Sequence, residues 1–376
     1  MTMNQKEFMR DVLQRIATGP TLSKDLPRED AQRAMRIILD GQADEIQAGI
    51  FLIALRMKRE TDEELAGILH AINNGVRQIP LDVDHLVSLV DPYDGYLRGA
   101  PAAPFLPAVL AACGVHTLSH GVSAMGPKFG ASHQQVLRAA GLVLPQTLEQ
   151  AAAALESAKC GWAYTSQSVL APELAALAPL RTRIVKRPCL TTIEVAINAF
   201  IPRLGSHLVT GFVHKPYPPI YARLAHEGGF NSSILVRGVE GGVVPSLTQE
   251  SRYFASEDGQ SLTQIDLDPK ALGIQCEERA VPLPEHLSND SVRSVKSPDN
   301  PFAEDLSRHA AALGLAAIEG KAGYTRDSLM YCAALVLHAR GAAATLSIAA
   351  EQVRSVLDDG SAYSRFGAVS QFGSSE

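Results

Sequence analysis

Four cations fall within seven residues at Arg181, Arg183, Lys186 and Arg187, and Arg203, Lys215, Arg223 and Arg237 follow. Between Leu177 and Arg237 the only acidic residues are Glu194 and Glu227, a balance of +6 that leaves −12 for the rest of the chain. Closely spaced Lys and Arg neutralise phosphates and release counterions, so this segment has the chemistry of a polyanion site; it also has the chemistry of an ordinary solvated face. Tyr217 and Tyr221 lie four apart, a spacing that on a helix more often serves packing than base stacking. His116, His120 and His133 are irregularly spaced, and neither Ser123 nor Ser166 sits in a nucleophile elbow. The five cysteines, Cys113, Cys160, Cys189, Cys276 and Cys332, form no C-x-x-C pair. No catalytic residue, metal ligand or cofactor is therefore expected.

At 376 residues, 46% hydrophobic and 20% charged, the chain has material for one large or two ordinary domains with a substantial core. No apolar run reaches the length of a bilayer span, and Glu7 and Asp11 interrupt the first twenty residues where a signal peptide needs an apolar stretch, so no membrane association and a cytoplasmic location are expected. The net charge of −6 argues against a polyanion partner on average, but the average conceals the basic segment.

The elements that must position these residues change in texture near Pro80. Residues 1–80 read as a helical domain: Pro27 stands at the start of Arg28 to Leu39, and Ile46, Ile50, Phe51, Ile53, Ala54 and Leu55 recur at helical spacing. Thr61 and Glu64 form a capping-box pattern. Residues 81–376 alternate short β-rich runs with helical stretches, the pattern of an α/β domain with a central, mostly parallel sheet. Strands are predicted at 85–90, 115–118, 161–164, 207–212 and 232–236. Helices are predicted at 105–113, 133–140, 148–157, 191–200, 218–226, 302–318, 326–339 and 346–357. Four prolines among polar residues predict a long loop at 282–301, and a Gly/Ser-rich composition predicts a frayed tail at 367–376.

Two stretches, Leu26-Pro27-Arg28-Glu29-Asp30-Ala31 and Ile50-Phe51-Leu52-Ile53-Ala54-Leu55-Arg56-Met57-Lys58, resemble the helical domain of anthranilate phosphoribosyltransferases. The likeness continues through Ala111-Ala112-Cys113-Gly114-Val115, Ser119-His120-Gly121, Ala178-Pro179-Leu180-Arg181 and Gly320-Lys321-Ala322 and covers nearly the whole chain. It implies a small helical domain beside a large α/β domain, a fold shared with pyrimidine nucleoside phosphorylases. The family's G-T-G-G-D turn corresponds to Asp91-Pro92-Tyr93-Asp94-Gly95, in which a proline lacks the N–H that a diphosphate would use. Its K-H-G-N motif reads Ser119-His120-Gly121-Val122, and its magnesium-handling acidic pair reads Val243-Val244, which offers no hard oxygen ligand. Asp91, Asp94, Gly95, Ser119, His120, Gly121, Val243 and Val244 thus mark a vestigial substrate cleft.

The run Arg237-Gly238-Val239-Glu240-Gly241-Gly242-Val243 resembles the YbiB-like branch of that family, whose members bind nucleic acid. That resemblance implies a homodimer joined through its helical domains, with a basic groove for DNA or RNA. Lys128, Arg181, Arg183, Lys186, Arg187, Lys215 and Arg237 are the expected nucleic-acid-binding residues. The alternatives are a phosphoribosyltransferase or nucleoside phosphorylase with a different substrate, and a small-molecule sensor using the old cleft.

Overall fold

The computed structural model describes residues 4–19, 21–287 and 296–374. Four amphipathic helices come first: α1 (Gln5–Ile16), α2 (Arg28–Leu39), α3 (Glu45–Lys58) and α4 (Asp62–Asn73). The Thr61–Glu64 capping box forms as the spacing predicts, with the Thr61 side chain accepting from the Glu64 N–H. Glu64 is wholly buried because it is fully used: its carboxylate accepts from the N–H groups of Thr61 and Leu26, both at 2.8 Å, and pairs with Lys58 at 2.8 Å.

The chain then builds β1 (Ile79–Pro80), β2 (His85–Val90), α5 (Leu106–Ala112), β3 (Thr117–Gly121), α6 (His133–Ala139), α7 (Leu148–Glu156) and β4 (Trp162–Ser166). Short helices α8 (Gln167–Leu170), α9 (Pro172–Ala175), α10 (Ala178–Ile184) and α11 (Leu190–Ile193) return to the N-terminal bundle. Arg36 of α2 bonds Glu173 at 2.6 Å, and Leu180 of α10 packs beside Gly49 of α3. The strand β5 (Phe200–Ile201) then pairs in parallel with β1 and leads back to the large sheet. The helix expected over 191–200 is therefore one turn of α-helix and a 3-10 turn at 194–196, ended where Ala199 and Ile201 take up β pairing.

β6 (Gly205–Phe212), α12 (Tyr217–Glu227) and β7 (Ser232–Arg237) follow, then the antiparallel strands β8 (Ser251–Ser256) and β9 (Thr263–Leu267). The seven-stranded sheet runs β4-β3-β2-β6-β7-β8-β9 and is parallel from β4 through β7. β2 spans the predicted residues, and both it and β6 are buried almost throughout, as parallel strands covered on both faces must be.

Helices α13 (Pro301–Ile318), α14 (Tyr324–Ala339), α15 (Leu346–Asp358), α16 (Ser361–Ala368) and α17 (Ser370–Gly373) close the core. Part of the loop predicted at 282–301 lies outside the described residues; Pro301 itself begins α13, where its missing N–H costs nothing. The expected frayed tail is instead helical to Gly373. Phe366 stacks on Phe105 (ring centroids 4.7 Å apart) and on Trp162 (5.7 Å), and Val369 is fully buried. Among the described residues no helix is long and apolar enough to cross a membrane.

Candidate functional site

β2, β6 and β7 end at Val90, Phe212 and Arg237, and the loops beyond these carboxyl ends meet the helical bundle. In an open parallel sheet this is where ligands bind. A cavity of about 160 Å³ lies there, lined by Arg56 from α3, by Asp94, Arg187 and Glu240 from loops, by Thr191, Thr192 and Thr210, and by His214, Tyr217 and Tyr221. Arg56 donates to the Tyr217 hydroxyl at 2.7 Å, so the two lobes touch across the cleft.

The loop after β2 supplies two carboxylates with different duties. Asp91 is buried and accepts from the Val243 N–H (2.8 Å), the Tyr96 hydroxyl (2.5 Å) and His133 Nε2 (2.9 Å). Burial works against its charge, but the His133 imidazole and the two other donors outweigh burial and hold its carboxyl below the ordinary range. Asp91 is thus a tie joining three loops. Asp94, also buried, accepts from Arg187 Nε (3.0 Å) and Nη2 (2.5 Å) on one oxygen and pairs with Lys128 Nζ (3.2 Å) on the other. Glu240 completes the circuit: it lies 3.7 Å from Lys128 Nζ and accepts from the Arg98 N–H at 2.7 Å and the Leu97 N–H at 3.2 Å. Gly95 makes the turn possible, since its φ of 72° and the nearby Gly130 carbonyl leave no room for a side chain.

Only Asp94 among the expected cleft residues lines this cavity. Ser119, His120 and Gly121 lie inside on β3, where the Tyr93 hydroxyl meets His120 Nδ1 at 2.5 Å. Burial, with a smaller contribution from the charge of His133, lowers the His120 pKa to about 3, so its imidazole is neutral. Ser119 Oγ, His120 Nε2, Tyr164 Oη, Thr165 Oγ1, Gln167 Oε1 and Arg181 Nε are buried with no hydrogen-bond partner among the described residues. Val243 is fully buried, its N–H used by Asp91 and its carbonyl accepting from Cys332 Sγ. Val244 faces a separate small pocket beside Tyr96 and Val281.

The predicted basic stripe is not continuous. Arg181 is 3% exposed and locked in a two-bond pair with Glu194 (2.6 and 3.0 Å), so it presents no charge to a partner. Arg183 pairs with Glu45 at 2.5 Å on the surface. Lys128 and Arg187 are gathered by Asp94. Lys186, Lys215 and Arg237 remain exposed, and their side chains have no hydrogen-bond or ion-pair partner among the described residues. Sequence reasoning missed Arg56 and Glu240 as site residues. Glu240 lies inside the Arg237 to Val243 run, and Arg56 lies on a helix whose apolar spacing signals packing rather than a site.

Among the described residues no group of three His, Cys, Asp or Glu side chains is placed to hold a metal. Asp94 and Glu240 pair with cations, and the Val243 and Val244 side chains carry no oxygen for a magnesium ion.

Residues 10–74 match the family model described as the helical bundle domain of a glycosyl transferase family. The chain is 27% identical over 358 residues to an anthranilate phosphoribosyltransferase of Methylocella silvestris, covering 95% of this chain and 93% of that one. It is 28% identical over 272 residues to an uncharacterized protein of Aquifex aeolicus, covering 70% and 79% of the two chains. Two solved structures share the fold. Anthranilate phosphoribosyltransferase from Thermus thermophilus superposes with a TM-score of 0.69 at 20% identity, covering 97% of this chain and 99% of that one. The Saccharomyces cerevisiae enzyme in complex with PRPP and Mg gives 0.73 at 13%, covering 97% of each chain.

Proposed function

We propose that this chain, which resembles anthranilate phosphoribosyltransferases over nearly its whole length and carries the helical bundle domain of a glycosyl transferase family, is a phosphoribosyltransferase-type protein whose interdomain cleft takes a phosphorylated ribosyl compound. The observation that carries this reading is Arg187. Its guanidinium is oriented by Asp94 through Nε and Nη2, yet the side chain is 46% exposed and lines the cleft with Lys128 close behind. A half-exposed guanidinium on the cleft wall offers a planar fork of donors that matches a phosphate. Thr191, Thr192 and Thr210 supply hydroxyls for a sugar, and Tyr217 and Tyr221 supply an aromatic wall. The acceptor differs from anthranilate in this reading. Arg181 is buried and already paired with Glu194, so no free guanidinium is left there for an acceptor's carboxylate.

The test is calorimetric titration of the full chain with 5-phosphoribosyl 1-pyrophosphate and with ribose 5-phosphate. Saturable binding is expected, weakened about tenfold or more by Arg187→Ala, since a charge-assisted hydrogen bond contributes ~1.5–3 kcal/mol. No binding at millimolar ligand contradicts the reading.

A second reading, nucleic-acid binding by a homodimer, is favoured by one observation: the unpartnered, exposed Lys186, Lys215 and Arg237. They adjoin cleft residues, Lys186 next to Arg187, Lys215 next to His214, and Arg237 opposite Phe212 in the sheet register. Such a trio supports modest, salt-sensitive, sequence-independent affinity.

A further inference from the structure

Three of the loops that carry the cleft's charges each contain a residue other than glycine at positive φ: Phe129 (49°) beside Lys128, Val185 (65°) near Arg187, and Glu240 (54°). Arg59, in the helical bundle, is the remaining such residue among those described. Val185 is the costliest case, a β-branched residue in the left-handed region with 64% of its surface exposed and so little packing to offset the strain. What fixes its segment is electrostatic: Arg183 held by Glu45 on one side and Arg187 held by Asp94 on the other.

The charges of this circuit sum to zero, Lys128 and Arg187 against Asp94 and Glu240. A phosphate dianion entering beside both carboxylates would set four negative charges against two positive ones, so one carboxylate must give way. Glu240 is anchored by the backbone N–H groups of Leu97 and Arg98. The side chain of Asp94 is held by Lys128 and Arg187, the two groups a phosphate would claim, and it borders the cleft. We propose that Asp94 is a built-in stand-in for the ligand's phosphate. It occupies Arg187 and Lys128 in the free chain, and the phosphate displaces it toward the cleft water while taking over its hold on Arg187. This rests on the reading of the cleft as a phosphoribosyl site and adds that the site is self-occupied.

The probe is inorganic pyrophosphate, titrated calorimetrically into the wild-type chain and into Asp94→Asn, with hydrogen exchange read over 182–188. Removing the competitor should tighten pyrophosphate binding about tenfold, the effect of one charge-assisted bond no longer to be broken. Exchange over 182–188 should stay low in the wild type with or without ligand, and in the variant should be high without ligand and fall on binding, when the phosphate holds Arg187. Asp94→Ser serves as the replacement where the Asn variant does not fold. If the wild type binds and the folded variant binds equally or more weakly, Asp94 is a positioning residue, and this inference fails while the cleft reading stands. If neither protein binds pyrophosphate, both fail.

Discussion

Asp91 and Asp94 stand three residues apart in one turn, and their surroundings separate them into a structural group and a ligand-facing one. Replacing Asp91 by Asn leaves the Tyr96 hydroxyl, His133 and the Val243 N–H short of an anionic acceptor, and should cost about 2–4 kcal/mol in chemical denaturation at pH 7. The pH dependence follows from the lowered carboxyl pKa. Folding gains the full contribution of Asp91 above its unfolded pKa near 3.8 and loses it as pH falls through the lower folded value. The gap between wild type and Asp91→Asn should therefore be constant from pH 7 to 5 and narrow below about pH 4. A gap that widens in acid would show that Asp91 is not held ionised. At this scale the sequence marked the right turn but not the duties within it. The type of a residue does not reveal that its charge is already spent on a partner 42 positions away, as for Asp91 and His133.

Elements were legible where periodicity was clear. The ranges of β2 and α2 follow from their apolar spacing, and the α4 cap from Thr61 and Glu64. The tail was not legible because its Gly and Ser residues weaken local propensity, whereas the helices there rest on tertiary packing by Phe366 and Val369. Phe366→Ala should accordingly destabilise the protein by about 3–5 kcal/mol, read by denaturant unfolding; a change below 1 kcal/mol would restore the picture of a frayed tail. The edge strand β9 was missed because three of its five residues are polar and exposed, and β8 because its apolar run, Tyr253 to Ala255, is only three residues long between serines and Arg252. On α3, Ile46 (69% exposed), Ile50 (42%) and Met57 (76%) form an apolar stripe on the side facing away from the bundle. We propose that a second copy of the chain covers it. Sedimentation should give a dimer for the wild type and a folded monomer for Ile50→Glu with Met57→Glu, whereas a monomeric wild type would contradict the proposal.

For the whole molecule, charge along the chain proved a poor guide to charge in space. The basic segment is neutralised largely by acids from elsewhere: Arg183 by Glu45, Arg187 by Asp94, Arg203 by Asp82 and Asp84, and Arg223 by Asp62 and Glu63. With Lys186, Lys215 and Arg237 left, any binding to a labelled oligonucleotide should show a log–log salt slope reduced by about 2–3 when all three become Ala, at ~0.7–0.9 per phosphate contact. An unchanged slope would remove these residues from the second reading. The scaffold itself was legible because the helical-domain stretches and the alternation of strand and helix are local patterns, whereas the cleft is assembled from loops far apart in the chain. The most direct test of the central claim is equilibrium dialysis of labelled 5-phosphoribosyl 1-pyrophosphate against wild type and Arg187→Ala, with and without excess oligonucleotide. One ligand bound per chain, with affinity about tenfold or more weaker in Arg187→Ala, is the predicted result. No retention by the wild type, or retention that Arg187→Ala leaves untouched, would contradict a phosphoribosyl site in this cleft.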